Sequence, residues 1–144
     1  MNKEQLLQRR FEIKGKIAKF LLLWRSVEET TQTKQYSICD VSFQQGQKWE
    51  KANNGISADK FYLICDTKGY DPLVILNSDP LDLLNTKDKK GADIFSTKGK
   101  DRLIAKCKEI DRNILDQYGT AKHYNSMLPK LEKEMAYQNT FKQA

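Results

Sequence analysis

The first thirty residues constrain the fold more than any other stretch. They read as one helix from Asn2 to about Thr30, carrying five bulky apolar side chains in a row, Phe20-Leu21-Leu22-Leu23-Trp24. At 100° per residue, Leu6, Ile13, Ile17, Phe20, Leu21, Trp24 and Val27 share one direction, the stripe of an amphipathic helix. Gln8, Glu12, Lys16 and Lys19 take the far side. Leu22 and Leu23 leave the stripe on opposite flanks, so one packing face does not suffice. Burying a leucine is worth about 1.5–3 kcal/mol, so two left in water forfeit several. Either other segments of the chain or a second protein must cover them.

The rest of the chain offers modest cover. Glu28–Gln35 is polar, with β-branched threonines and no apolar residue, and reads as the place where the helix frays into a connection. Tyr36 to Phe43 alternates Cys39, Val41 and Phe43 with Ile38, Asp40 and Ser42, a half-buried strand. Gln44 to Ser57, framed by Gly46, Asn53, Asn54 and Gly55, reads as a loop with one helical turn around Trp49. Phe61-Tyr62-Leu63-Ile64-Cys65 and Leu73-Val74-Ile75-Leu76 are continuous apolar runs separated by a Gly- and Pro-containing segment, which predicts a β-hairpin. A short helix over Pro80–Asn85 follows, capped by Ser78 or Asp79. After a lysine-rich connection, Leu103, Ile104, Cys107, Ile110, Ile114, Leu115 and Tyr118 mark a helix from Asp101 that stops at Gly119. A last helix runs from Ser126 to Thr140, with Pro129 in its first turn and Met127, Leu128, Leu131, Met135 and Phe141 as its apolar residues.

This predicts an α+β fold in a single domain spanning residues 1–144. A long N-terminal helix (1–30) and a C-terminal helical hairpin (101–142) pack with a small antiparallel three-stranded sheet (36–43, 61–66 and 73–77). Surface-to-volume scaling lets 144 residues bury a core without disulfides or metal. Cys39, Cys65 and Cys107 are odd in number and lack C-x-x-C spacing, so neither a disulfide framework nor a zinc site is implied. No segment reaches the ~20 apolar residues of a membrane span. The expectation is a soluble, intracellular protein of a reducing compartment.

Charge is unevenly spread. The chain carries 25 basic and 19 acidic side chains, for a net charge of +6. Residues 1–30 hold seven basic groups against four acidic ones, residues 61–90 four against five, and residues 121–144 four against two. Basic ends folded side by side would form one positive face, so Arg9, Arg10, Lys14, Lys16, Lys19, Lys87, Lys89 and Lys90 are candidate phosphate contacts for a nucleic acid.

Catalytic motifs fail on inspection. The triplet Ile-Cys-Asp occurs at 38–40 and 64–66, and the carboxylates of Asp40 and Asp66 would suit a shared metal in a small hydrolase or nuclease only if their strands are neighbours. The lone histidine, His123, has no nucleophile motif to serve. Lys98-Gly99-Lys100-Asp101 resembles the end of a P-loop, but Ile94 and Asp101 replace its first glycine and its hydroxyl residue. No cofactor is implied. The leading expectation is therefore a non-catalytic protein-interaction or structural subunit of a larger assembly, meeting a protein partner or a second copy of itself through Phe20, Leu22, Leu23, Trp24 and Trp49. A basic nucleic-acid-binding accessory protein is the alternative, and the metal-dependent hydrolase a distant one.

Overall fold

The structure, a computed structural model, describes the backbone of residues 1–143 and the side chains of 1–130 and 133–135. It is built of helices, and no strand occurs among the described residues. Six α-helices follow one another: α1 (Lys3–Val27), α2 (Gln32–Tyr36), α3 (Phe43–Glu50), α4 (Ala58–Lys68), α5 (Pro72–Leu76) and α6 (Thr97–Gln143). Two 3-10 segments, Ser37–Cys39 and Pro80–Asn85, lie between them.

The α+β expectation is overturned, and local chemistry explains why. Tyr36–Phe43 is not a strand: it ends α2, passes through a 3-10 turn, bends at Asp40 with φ +53°, and enters α3 at the N-cap Ser42. Phe61–Cys65 lies inside α4, whose C-terminus is closed by Gly69 at φ +75°, a left-handed cap that glycine adopts without strain. Leu73–Leu76 lies inside α5, which starts with an Asp71 cap and Pro72 at its first turn. A run of four or five apolar residues carries no period, so punctuation decides, and the Asp-Pro pair is helix-start punctuation. Phe61, Ile64 and Cys65 are buried at helical spacing while Tyr62 and Leu63 face water.

The C-terminal helical hairpin is corrected as well. Helix α6 runs unbroken through Gly119 and carries Pro129 in its interior. Gly119 is exposed, and a Cβ there would meet nothing within 4 Å, so it is a tolerated weak point rather than a stop. Leu131 and Phe141, expected on the apolar face of the last helix, lie outside the residues whose side chains are described.

Helix α1 is the axis of the molecule. Asn2 and Gln5 close a reciprocal capping box at its start. It runs antiparallel to α6, shown by contacts in order along the pair: Glu4 with Lys122, Phe11 edge-on to Tyr118, and Lys19 with Asp111 at 2.6 Å. Gly15 brings the backbones together, since a Cβ there would sit 3.2 Å from Ile114. The apolar knot is shared among three clusters. Phe20, Leu21 and Trp24 pack with Tyr36, Trp49, Phe61, Ile64, Cys65 and Ile75. Leu22 packs with Ala18, Ala52 and Ile110, and Leu23 with Leu84, Leu103 and Cys107. A helix surrounded on every side needs apolar residues on every side, which accounts for the excess.

Candidate functional site

The sequence-predicted partner residues are all interior. Phe20, Leu22, Leu23, Trp24 and Trp49 are each no more than 5% exposed, covered by segments of the same chain. The knot is a core, so these side chains present no surface to a second protein in this fold.

The predicted phosphate contacts diverge. Lys14 donates to Gln117 on α6, Lys16 to the Leu76 carbonyl at the end of α5, and Lys19 pairs with Asp111. Arg9 pairs with Glu12, and Arg10 lies over the Phe11 ring. Lys87 is held by Asp93, while Lys89 and Lys90 are exposed on the following turn. The cations of α1 thus reach toward different neighbours and do not line up as one stripe. Asp40 and Asp66 are both exposed, and no group of three metal-ligating side chains occurs among the described residues.

What the sequence did not disclose is a buried polar network beside the knot. Glu50, 3% exposed at the end of α3, takes Arg25 through Nε and Nη2 at 2.8–3.0 Å. Oε2, which Arg25 Nε shares with Oε1, also accepts from the Tyr36 hydroxyl at 2.6 Å, and that hydroxyl accepts from Gln35, which also donates to the Leu21 carbonyl. Burial, then the adjacent carboxylate, pushes the Tyr36 phenol far above its ordinary value, so it stays a donor. The Tyr36 ring lies against α3 where Gly46 leaves room: a Cβ there would fall 2.0 Å from Cδ2. The network ties α1, α2 and α3 together, and with every carboxylate lone pair engaged its role is architectural. Burial likewise pushes up the thiols of Cys39, Cys65 and Cys107, that of Cys65 to about 11, leaving them poor nucleophiles.

A second arrangement fixes the end of α3. Two α6 amides one turn apart cap successive carbonyls there: Asn113 donates to Lys51 and Gln117 to Ala52. Ala52 is left-handed at φ +59°, which costs a non-glycine residue about 1–2 kcal/mol. Its methyl is fully buried with Ala18, Leu22 and Ile110, which offsets that cost.

The remaining chemistry is apolar and lies at the open end of the α1–α6 pair. Leu6, a member of the predicted core stripe, is 52% exposed. With Leu7, Leu128 and Pro129 it lines a groove of about 710 Å³ whose rim carries Lys3, Glu4, Arg10 and Lys122. Glu4 is engaged by Lys122 at 2.9 Å, which together with its hydrogen bonding holds the Glu4 carboxyl below its usual range. Lys3 and Arg10 are the rim charges without an acidic partner among the described residues. Tyr124, Met127 and Met135 on the distal half of α6 are also exposed. A second exposed apolar set, Tyr62 and Leu63 on α4 with Leu73 and Val74 on α5, lies on the body.

No family model matches the chain, and neither a curated protein nor a solved structure does. No helix among the described residues is long and apolar enough to cross a membrane.

Proposed function

We propose that the chain is a non-catalytic docking subunit that takes an amphipathic helix of a protein partner into the groove between the start of α1 and the distal half of α6. The observation that carries this reading is Leu6: it belongs to the apolar stripe of α1 yet stands half in water, beside Leu7, Leu128 and Pro129. Elsewhere along α1 the bulky apolar residues of the knot are covered by the chain itself, so this is where the stripe lacks a lid. An apolar trough of this kind suits a helix that lays i, i+3, i+4 and i+7 anchors into it. Lys3 and Arg10, without an acidic partner among the described residues, favour a partner helix flanked by acidic side chains and disfavour a second copy of the same basic surface.

Substituting Leu6→Lys together with Leu128→Lys tests the reading. The double variant should keep the helical circular dichroism of the parent and lose the partner that the parent retains on affinity capture. Retention of that partner by the double variant would contradict the proposal. A nucleic-acid role, supported by the net charge and by Lys89 and Lys90, makes a different forecast. Affinity for RNA or DNA would fall linearly with log salt and would drop on replacing those lysines.

A further inference from the structure

Over the body, one flank of the α1–α6 pair is roofed by α3 and the residues that follow it. Ala52 packs with Ala18 and Leu22 of α1 and Ile110 of α6, while Asn113 and Gln117 hold the carbonyls of Lys51 and Ala52. The roof reaches Gly55, where an added Cβ would sit 3.9 Å from Lys14. It ends at a cavity of about 270 Å³ beside Trp49, lined also by Asn54, Gly55 and Arg10. Arg10 borders the docking groove as well, so the groove begins where the roof stops.

The flank left bare beyond that point is the same one. At 100° per residue along α6, Ile110, Asn113 and Gln117 under the roof and Tyr124, Leu128 and Met135 beyond it fall within about 60° of one another. Ala121, Leu128 and Met135 recur every seven residues with Tyr124 between them, the seam of a helix that packs on a second helix. Tyr124 is 58% and Met135 64% exposed. Lys122, paired with Glu4, marks the level at which α1 starts, and α6 runs on to Gln143, about 30 Å further. The seam therefore outruns the groove lined by Leu6, Leu7, Leu128 and Pro129.

Charge gives the seam a direction. The guanidinium of Arg10 lies over the Phe11 ring, which orients it without neutralising it. A cation at this place favours the negative C-terminal pole of a docked helix, and antiparallel packing on α6 sets the two macrodipoles in their favourable opposition. Phe11 meets Tyr118, so Arg10 lies level with that residue, and from there to Met135 is about 25 Å, or roughly 17 residues of helix.

We propose, resting on the docking reading above, that the partner helix extends past the groove to Met135, runs antiparallel to α6, and ends with acidic residues against Arg10. It continues along the pair the cover that α3 and its following residues supply over the body.

The test uses the full chain labelled with nitrogen-15 and with carbon-13 in its methionine methyls. The probe is a synthetic peptide of about 18 residues with leucines at heptad spacing and glutamates between them. Comparators are the same peptide with lysines for glutamates, and one cut from its N-terminus to about 11 residues, so that it ends level with Leu128. The glutamate peptide should bind saturably, and the lysine peptide about tenfold more weakly. Met135→Lys, at an exposed position, should weaken the longer peptide by about tenfold and leave the shorter one unchanged. A nitroxide on the C-terminus of the longer peptide should broaden the Gly55 amide, and one on its N-terminus the Met135 methyl. The inference is overturned by equal binding of the two charge forms, by a Met135→Lys chain that holds the longer peptide as the parent does, or by broadening in the reverse order. Absence of saturable binding by the glutamate peptide overturns it as well. Failure of the docking reading shows separately, as a partner retained by the chain carrying Leu6→Lys and Leu128→Lys.

Discussion

The body around Trp24 and the open end around Leu6 use the same residue types to opposite effect. In the body, Leu21, Leu23 and Trp24 are at most 2% exposed, and the polar groups of Glu50, Arg25 and Tyr36 satisfy one another. At the open end, Leu6 and Met127 stand in water on helices that run on with nothing packed over them among the described residues. The difference teaches that α1 is not one amphipathic helix. Its second half is a core rod wrapped on all sides, and its first two turns are a two-helix edge facing the distal half of α6.

If the body is the closed region, changes there should cost far more than changes at the edge. The largest loss is expected from Glu50→Ala. It strands the Arg25 guanidinium and the Tyr36 hydroxyl, and breaking a buried pair by removing one partner costs about 3–5 kcal/mol, measurable by urea denaturation. Gly46→Ala comes next. Its methyl cannot coexist with the Tyr36 ring at 2.0 Å, so the ring or α3 must shift, an overpacking penalty of about 1–3 kcal/mol or more. A loss below about 0.5 kcal/mol in that variant would show that Tyr36 does not pack on α3 as described, since surface substitutions fall in that range.

Alkaline pH sharpens the contrast without altering volume. Burial and then Glu50 raise the folded-state pKa of Tyr36 above its ordinary value of 10.0, so the unfolded chain releases this proton first. The contribution is therefore intact below pH 10 and is lost as pH rises above it, by up to about 1.4 kcal/mol per pH unit. Denaturant titrations at pH 9 and pH 11 should show a steeper fall for the parent than for Tyr36→Phe. Parallel slopes would remove Tyr36 from the network. At the edge, the smallest effect is expected, and with the opposite sign. Gly119→Ala meets no neighbour and should stabilise the helix by about 0.5–1 kcal/mol, read as a raised melting temperature.

The parts of this fold that were legible in the sequence are those written in local punctuation. Asn2 with Gln5 starts α1, and Leu103, Cys107 and Ile110 recur at helical spacing on the buried face of α6. The second stripe of α1 was also present in the sequence. Phe11, Gly15, Ala18 and Leu22 recur at three- and four-residue intervals and face α6, but glycine and alanine carry little hydrophobic weight, so a search for bulky residues passes over them. The short helices α4 and α5 read as strands in the sequence because apolar residues also occupy their solvent faces, Tyr62 and Leu63 beside the buried Phe61 and Ile64, and Leu73 and Val74 beside Ile75, so neither run shows a helical period. The Glu50 network had no sequence signal, since Arg25, Tyr36 and Glu50 lie 11 and 14 residues apart and meet only through folding. The cavity beside Trp49 was invisible for the same reason, although Trp49 itself stood out.

The central claim is that protein contact occurs at the open end of the α1–α6 pair and not on the body. A photo-crosslinking residue placed at Leu6 and, separately, at Leu63 in the full chain tests it directly, with adducts identified by mass spectrometry. Position 6 should give an adduct to an acidic amphipathic helix of one partner, and position 63, an exposed apolar site on α4, should give none. Adducts from position 63 with none from position 6 would contradict the account and move the docking surface to the α4–α5 face.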